Sequence, residues 1–470
     1  MTRVNTSARA LSIMHNGTSM KTKVRVVFAV AVCKLLRGFL HFLGRGGTNL
    51  PGKFALKICP EILSVAATGV RTIVVSGTNG KTTTCRLIEQ GLNNAGVPCF
   101  ANRSGANLLP GIVAEFIANA NRNGMPSKAV SVIECDEATL KAVLSFITPE
   151  IVVLTNIFRD QLDRYGEVTH TLEKLSSAIE KTPNTLLCLN ADDSLVASIA
   201  QALPNPCVFY GINAATKSAP SDTHSDALYC ICCKQRYAYT QRTYGHLGSF
   251  RCPNCGYKRS EPQISVDRII ETSRSKSIVD LNIRGQHTLQ TIPLPALYNI
   301  YNYLAAISAL DAFGVPEKDL KCVGAFGRME HFSIGKGIAL ILVKNPAGFT
   351  QVIEYLSDIK EEYDLMCCLN DQEVDGTDIS WIWDVPFEKL SQENDLKTVF
   401  VAGTRKEEMY LRLKHAGLDE SKLQLVANTA QFIRETTKHP RPLFIVPTYT
   451  AMMQIRKQLA GMDSKKAFWE

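Results

Sequence analysis

The chain has 470 residues, 45% apolar and 20% charged, with a formal net charge of +8. That length sets a prior of about three domains with ample chain for buried cores, and the composition is that of an ordinary soluble protein rather than a disordered or fibrous one. The positive charge reads as spread along the chain without a dense Lys/Arg block, a weak steering term for nucleic acid, an anionic membrane face or a polyanionic substrate.

Fifteen cysteines, with no signal peptide evident, fit reduced thiols in a cytosol better than a disulfide scaffold. Residues before Met20 are polar, predict disorder, and leave Met20 as an alternative start. "VRVVFAVAVCKLLRGFLHFLG", Val24 to Gly44, is apolar enough to suggest a membrane span, yet Lys34 and Arg37 interrupt it too early. The segment predicts an amphipathic helix followed by a turn, packed on the protein itself, with contact to a membrane surface as the alternative.

"VVSGTNGKTTT" follows a β-branched run from Thr72 to Val75 and precedes Cys85, Ile88 and Leu92 at helical spacing, which predicts strand, loop, helix. In such a loop the glycines let backbone N–H groups crowd around phosphate oxygens, a lysine neutralises charge, and the next hydroxyl binds Mg²⁺. Lys81 and Thr82 fit the last two roles, with Gly77, Thr78, Asn79, Gly80 and Thr83 shaping the cradle. The spacing departs from the common G-x-x-x-x-G-K-T pattern, because Val75 stands where its first glycine belongs.

Two further apolar strands end in charge. "AVSVIECDEAT" ends in Glu134, Asp136 and Glu137, and "EIVVLTNIFRDQLDRYGE" ends in Asn156, Arg159, Asp160 and Asp163. Ligands of an open parallel sheet bind beyond the carboxyl ends of its strands, so these acids are placed to hold a metal near phosphates. Helix capping is the better reading for Asp163 and the poorer one for Glu134. With "TLLCLN" and "CVFYGI" extending the series, the fold class is doubly wound α/β.

Between Ala215 and Pro262 the composition turns polar and aromatic. Cys230, Cys233, Cys252 and Cys255 form two C-x₂-C pairs with the spacing of a four-thiolate zinc ribbon, and Cys232 is an alternative ligand. Four thiolates close the coordination sphere, so the Zn²⁺ is structural. Arg236, Arg242, Arg251, Lys258 and Arg259 surround the ribbon and read as a solvated basic face before they read as a nucleic-acid site.

"LPALYNIYNYLAAISALDAFGV" then places Asn299 and Asn302 on one helical face, followed by "FGRMEHF". Here the chain resembles the Mur ligase family, through "GTNGKTTT", "IECDEAT", "LTNI", "LNADD", the spaced asparagines and "FGRME" in one order. The resemblance implies ATP-dependent activation of a carboxylate as an acyl phosphate, then attack by an amine. It assigns Lys81 to the β/γ-phosphates, Thr82 and Glu134 to Mg²⁺, Asn299 to the adenine or ribose region and Arg328 to phosphate charge. Gln161 and Tyr298 stand where the family usually has histidine; the first departure argues against a second Mg²⁺ site of the family's kind, and the two together imply a specialised branch.

The C-terminal third, including "LVKNPAGFTQVIEYL", "DGTDISWIWD" and "PTYTAMMQIRKQLA", is similar to the MurT branch of that family. This branch implies three parts: residues 1–53, a tail and amphipathic helix; 54–332, an ATP-binding domain with the ribbon inserted at 216–262; and 333–470, a second α/β domain. It implies amidation of a D-glutamate α-carboxylate in the stem peptide of lipid II. The ammonia comes from a GatD-type glutaminase partner in a heterodimer, and the complex is cytoplasmic, at the inner face of the cell membrane. An aspartate of the C-terminal domain would orient the partner's catalytic histidine; Asp378 is the first choice and Asp375 the second. Trp381 and Trp383 suit either core packing or partner anchoring. The competing readings are an amino-acid-adding or folylpolyglutamate-type ligase and a zinc-ribbon nucleic-acid ATPase.

Overall fold

The computed structural model describes residues 20–42, 49–102, 106–160, 168–215, 226–273, 276–316, 320 and 329–463. Arg328, Gln161 and Asp163 lie outside them.

Helices α1 (Met20–Phe42) and α2 (Asn49–Ile58) lead into the first sheet. Its strands are β1 (Arg71–Ser76), β2 (Cys99–Ala101), β3 (Val130–Glu134), β4 (Ile151–Leu154), β5 (Leu186–Asn190) and β6 (Cys207–Ile212). The hairpin β7 (Ala238–Tyr244) and β8 (Leu247–Arg251) interrupts the series before β9 (Ile264–Thr272), β10 (Ser277–Ile283) and β11 (Gln286–Ile292). Nine of these strands form one sheet in the order β11-β10-β9-β6-β5-β4-β1-β3-β2, parallel from β2 to β9 and antiparallel at β10 and β11. Strands β1, β3 and β4 are buried along nearly their whole length, because helices cover both faces of a parallel sheet and reward continuous apolar runs. After β1 the chain builds β2 and β3 on one side and β4 to β6 on the other. The phosphate loop therefore leaves β1 at the point where strand order reverses, the crevice position in such sheets.

Helices α3 (Lys81–Asn94), α4 (Leu109–Ala118), α5 (Glu137–Leu144), α6 (Ser194–Ala202) and α7 (Leu297–Phe313) accompany this sheet. A second, six-stranded sheet has the order β12-β13-β17-β14-β15-β16. Its strands are β12 (Glu330–Phe332), β13 (Ile338–Leu340), β14 (Tyr363–Cys368), β15 (Leu396–Ala402), β16 (Leu423–Leu425) and β17 (Leu443–Pro447), with helices α8 (Pro346–Ser357) and α9 (Tyr449–Met462) packed on it. Because β12 pairs with β13, the second unit begins at or before Glu330, inside the segment assigned from sequence to the first. Glu330 is tied there by Arg456 of α9, at 2.7 and 3.0 Å and fully buried.

Candidate active site

Register sets the geometry of the loop. Val75 lies opposite Glu134 of β3 and Ser76 opposite Leu154 of β4, so three strand ends converge where the chain turns into α3. The backbone of Gly77 and Gly80 is left-handed, with φ +118° and +88°. A Cβ on Gly77 would collide with Thr155 Oγ1, and one on Gly80 with Asn302 Oδ1. The residues after β4 hold the loop from the other side: Asn79 N–H donates to Asn156 Oδ1 at 2.9 Å, and Thr155 Oγ1 donates to the Asn79 carbonyl at 2.7 Å. Phe158 N–H donates to Thr78 Oγ1 at 3.1 Å. The first-turn N–H groups of α3 then open towards the cleft, as anion binding at a helix N-terminus requires. Gly80→Ala combines backbone strain with a collision and is expected to cost about 1–3 kcal/mol. Nucleotide affinity measured by calorimetry should fall with it; an unchanged affinity would remove the loop from the nucleotide site.

Lys81 is buried, and its Nζ donates to the Gly77 carbonyl at 2.5 Å and to Glu137 Oε2 at 3.3 Å. Burial works against its charge, but the carboxylates of Glu137, Asp136, Glu134 and Asp160 outweigh that and raise its pKa above the ordinary lysine value. Of the three acids after β3, Asp136 caps α5 by accepting from Ala138 N–H at 3.1 Å. Glu137 takes the lysine. Glu134 is fixed through its backbone, which exchanges two 2.8 Å hydrogen bonds with the Asn102 side chain. Its carboxylate and the half-buried Thr82 hydroxyl are hard oxygen donors of the kind Mg²⁺ takes alongside phosphate oxygens and water.

The loop opens into a cleft with two owners. Asn79, Gly80, Thr83, Asn302 and Tyr298 come from the first unit, and Gly348 and Gln351 come from α8 of the second. Asn345 caps α8 through Gly348 N–H at 2.8 Å and also donates from Nδ2 to Asn79 Oδ1 at 3.2 Å. Beside it Lys344 pairs with Asp160. Asp160, expected among metal-binding acids, thus joins the two units instead, and Arg159 is bound to Asp226 at 2.7 Å and Asp384 at 3.3 Å. Asn299 sits behind the wall: its Nδ2 donates to the Pro295 carbonyl at 2.6 Å and its Oδ1 accepts from Asn302 at 3.2 Å, so Asn302 faces the cleft. The Asn-Pro pair before α8 is a legible helix start; which loop it meets is not legible.

The four ribbon sulfurs lie within 4.8 Å of one another. The pairs Cys230–Cys255 and Cys233–Cys252 stand 3.6 and 3.4 Å apart, near the ~3.8 Å edge of a tetrahedron with ~2.3 Å Zn–S bonds. Two turns of the same shape present them, with Cys230 N–H donating to the Gln235 carbonyl and Cys252 N–H to the Tyr257 carbonyl, both at 2.7 Å. The Gln235 backbone, with the Asn254 side chain, pulls the Cys233 thiol down to about 6, whereas hydrogen bonds with the other three thiols push Cys255 up to about 12, the sharing of protons expected of packed thiols without a cation. The residues fit Zn²⁺. Cys232 is exposed and outside the four-sulfur cluster, with its Sγ 3.9 Å from Gln201 Oε1. The basic face is partly spent inward, Arg259 on Asp192 at 2.5 Å and Arg242 over the Tyr239 ring at 4.2 Å.

The ribbon is not a detached excursion. The tip of its hairpin enters the main core, where Tyr244 stacks on Phe158 at 5.6 Å and 13° and meets Tyr301 edge-on at 5.8 Å. Tyr244 lines the cleft. A module read from sequence as purely structural thus supplies part of the cleft wall through its hairpin. Thr243 and Asp192 fix the neighbouring Tyr301 hydroxyl at 2.7 and 2.6 Å.

In the second unit Asp375 is buried and occupied, accepting from Thr450 N–H at 2.8 Å, Thr450 Oγ1 at 2.5 Å and Gln372 N–H at 3.3 Å, which pins the start of α9. Asp378 is exposed. Its Oδ1 accepts from Ser380 N–H at 2.8 Å, and the backbone and side chain of Ser380 together hold the carboxyl below its usual range. Trp381 packs on the core of the unit, whereas Trp383 is half-exposed beside Arg412 and His415.

Residues 75–255 match the family described as Mur ligase middle domain, and residues 342–452 match MurT ligase C-terminal. A Streptococcus pneumoniae protein named lipid II isoglutaminyl synthase (glutamine-hydrolyzing) subunit MurT is 35% identical over 90% of this chain and 94% of its own. Among solved structures, a pseudomurein peptide ligase type C from Methanothermus fervidus aligns with a TM-score of 0.60 at 20% identity, over 84% of this chain and 79% of its own. The MurF ligase of Thermotoga maritima, solved with ADP, gives 0.60 at 13% identity, over 88% and 83%. At these identities the two structures speak for the fold.

Proposed function

The chain belongs to the MurT family of Mur ligases, and from that premise we propose that it is the ATP-dependent ligase subunit of a lipid II isoglutaminyl synthase. The γ-phosphoryl group passes from ATP to an oxygen of the D-glutamate α-carboxylate, releasing ADP. Ammonia then attacks the acyl carbon, phosphate leaves, and an amide remains. The observation that carries this reading is the loop after β1: its lysine is buried against the acids that follow β3 at the start of α3, and its Asn79, Gly80 and Thr83 line the cleft that the two units share.

Within that reading Lys81 holds the β/γ-phosphates, and the N–H groups from Gly80 to Thr83 at the start of α3 surround them, those of Thr78 and Asn79 being taken by Asn156. Thr82 and Glu134 would hold a Mg²⁺ ion, which would supply charge neutralisation for the transferred phosphoryl group. Asn302 and Tyr298 border the base or ribose with Asn299 behind them, and Arg328 adds phosphate charge. The ammonia comes from a GatD-type glutaminase. Asp378, exposed and ionised, is the residue offered to the partner's histidine; Asp375 is already committed to Thr450. The three-part division goes with this proposal, its second boundary moved to at or before Glu330 because β12 pairs with β13, as does a cytoplasmic position at the inner membrane face. No helix among the described residues is long and apolar enough to cross a membrane.

The test incubates the chain with ATP, Mg²⁺ and lipid II, with either ammonium or glutamine plus the glutaminase, and reads carboxylate-to-amide conversion by mass. Addition of an amino acid with the carboxylate intact would overturn the proposal. Asp378→Asn is expected to lower the glutamine-dependent rate on the order of 10²–10⁴-fold, as loss of a triad carboxylate does, and to spare the ammonium-dependent rate. Equal loss of both would take Asp378 out of that role.

A further inference from the structure

Helix α1 has two apolar faces. Val26, Ala29, Val30 and Cys33 are buried, and the helix is fastened along that side by Lys34 Nζ to the Ala120 carbonyl at 2.5 Å and Arg37 to Glu115 at 3.1 Å. Val24, Phe28, Leu35, Phe39 and Phe42 are exposed to 64, 59, 74, 59 and 87%. Their spacing follows the helical period, so they form one stripe turned away from the fold. Leu50 and Phe54, one turn apart on α2, are also exposed. Scattered apolar residues on a surface need no explanation, but a continuous stripe of large ones does.

Charge says what covers it. The basic excess is not evenly spread, contrary to the expectation above: residues 1–60 hold ten Lys/Arg and no Asp/Glu, whereas the remaining chain holds 42 Lys/Arg against 44 Asp/Glu. The whole positive balance belongs to the segment that carries the apolar stripe. Lys23, Lys53 and Lys57 are exposed there. A second copy of this segment would bring like charges together, and an interior site would leave the lysines without water. A surface that accepts aromatic and aliphatic side chains at shallow depth and presents anions at its edge satisfies both.

We propose that α1 and α2 form an interfacial docking face for anionic lipid, with Phe28, Leu35, Phe39 and Phe42 entering the headgroup boundary and the lysines pairing with lipid phosphates. The face needs no lipid-linked substrate, so its test is independent of the amidation assay.

Flotation of the full chain with vesicles of equal parts phosphatidylcholine and phosphatidylglycerol, compared with pure phosphatidylcholine, is the measurement. Binding at least about 10-fold tighter to the anionic vesicles, weakened by salt, is expected. Phe28→Ser/Leu35→Ser/Phe39→Ser should release the chain from both while leaving its melting temperature unchanged, because these side chains meet solvent; Lys23→Gln/Lys53→Gln/Lys57→Gln should remove only the anionic preference. Equal binding to both vesicles, or undiminished binding by the apolar variant, overturns the proposal. So does a concentration-dependent dimer, seen by light scattering, that the same apolar substitutions dissolve.

Discussion

Lys81→Ala is expected to abolish amidation with ammonium and with glutamine alike, by a factor on the order of 10³ or more, the scale lost when a preorganised charge is removed from a developing anion. Stability should fall too. Glu137 would remain buried beside Glu134 and Asp136 with its partner gone, and breaking a buried pair from one side costs about 3–5 kcal/mol. The two effects are separable. Lys81→Met/Glu137→Gln removes both charges at similar volume, so it should recover most of the melting temperature and none of the activity. If the double variant turned over ATP, Lys81 would be a structural ion-pair partner only, and the phosphate assignment would fail.

Removing metal from the ribbon should produce the other large effect. Structural zinc contributes about 10–16 kcal/mol of binding free energy in isolated zinc-finger peptides. The chain should carry one zinc, and a chelator or Cys233→Ser should lower its melting temperature. The consequence for the cleft is more specific, because Tyr244 at the hairpin tip lines it. Losing an ordered aromatic wall is worth about 0.5–1.5 kcal/mol, roughly a threefold to tenfold weaker nucleotide by calorimetry. Tyr244→Ala should reproduce that loss with zinc content intact, and Tyr244→Phe should not. Unchanged nucleotide affinity in the metal-free chain would reduce the ribbon to a stabilising appendage.

Much of this site is legible in the sequence, for physical reasons. Parallel strands buried on both faces read as uninterrupted apolar runs, so β1, β3 and β4 and the loop after β1 are found directly. Left-handed glycines and a lysine at a helix start leave few alternatives. What escapes is which of several adjacent groups turns inward. Asp136 spends its carboxylate on capping α5, and that decision hands Lys81 to Glu137. Asn299 and Asn302 share a face, and only the Pro295 carbonyl decides that Asn302 meets the cleft. Tyr244 reaches the cleft, Lys344 reaches Asp160 and Asn345 reaches the loop from far along the chain, where spacing carries no signal. The clustering of basic charge before Glu61 was available to counting by segment, yet the overall total conceals it.

The shared ownership of the cleft has a thermodynamic corollary. Residues of α8 and residues of the phosphate loop face the same space, so a nucleotide held there binds the native state of both units at once and neither unfolded one. Mass action then stabilises them jointly. Two melting transitions that are separate in buffer should draw together as ATP is added, and the chain should pass from two cooperative blocks towards one.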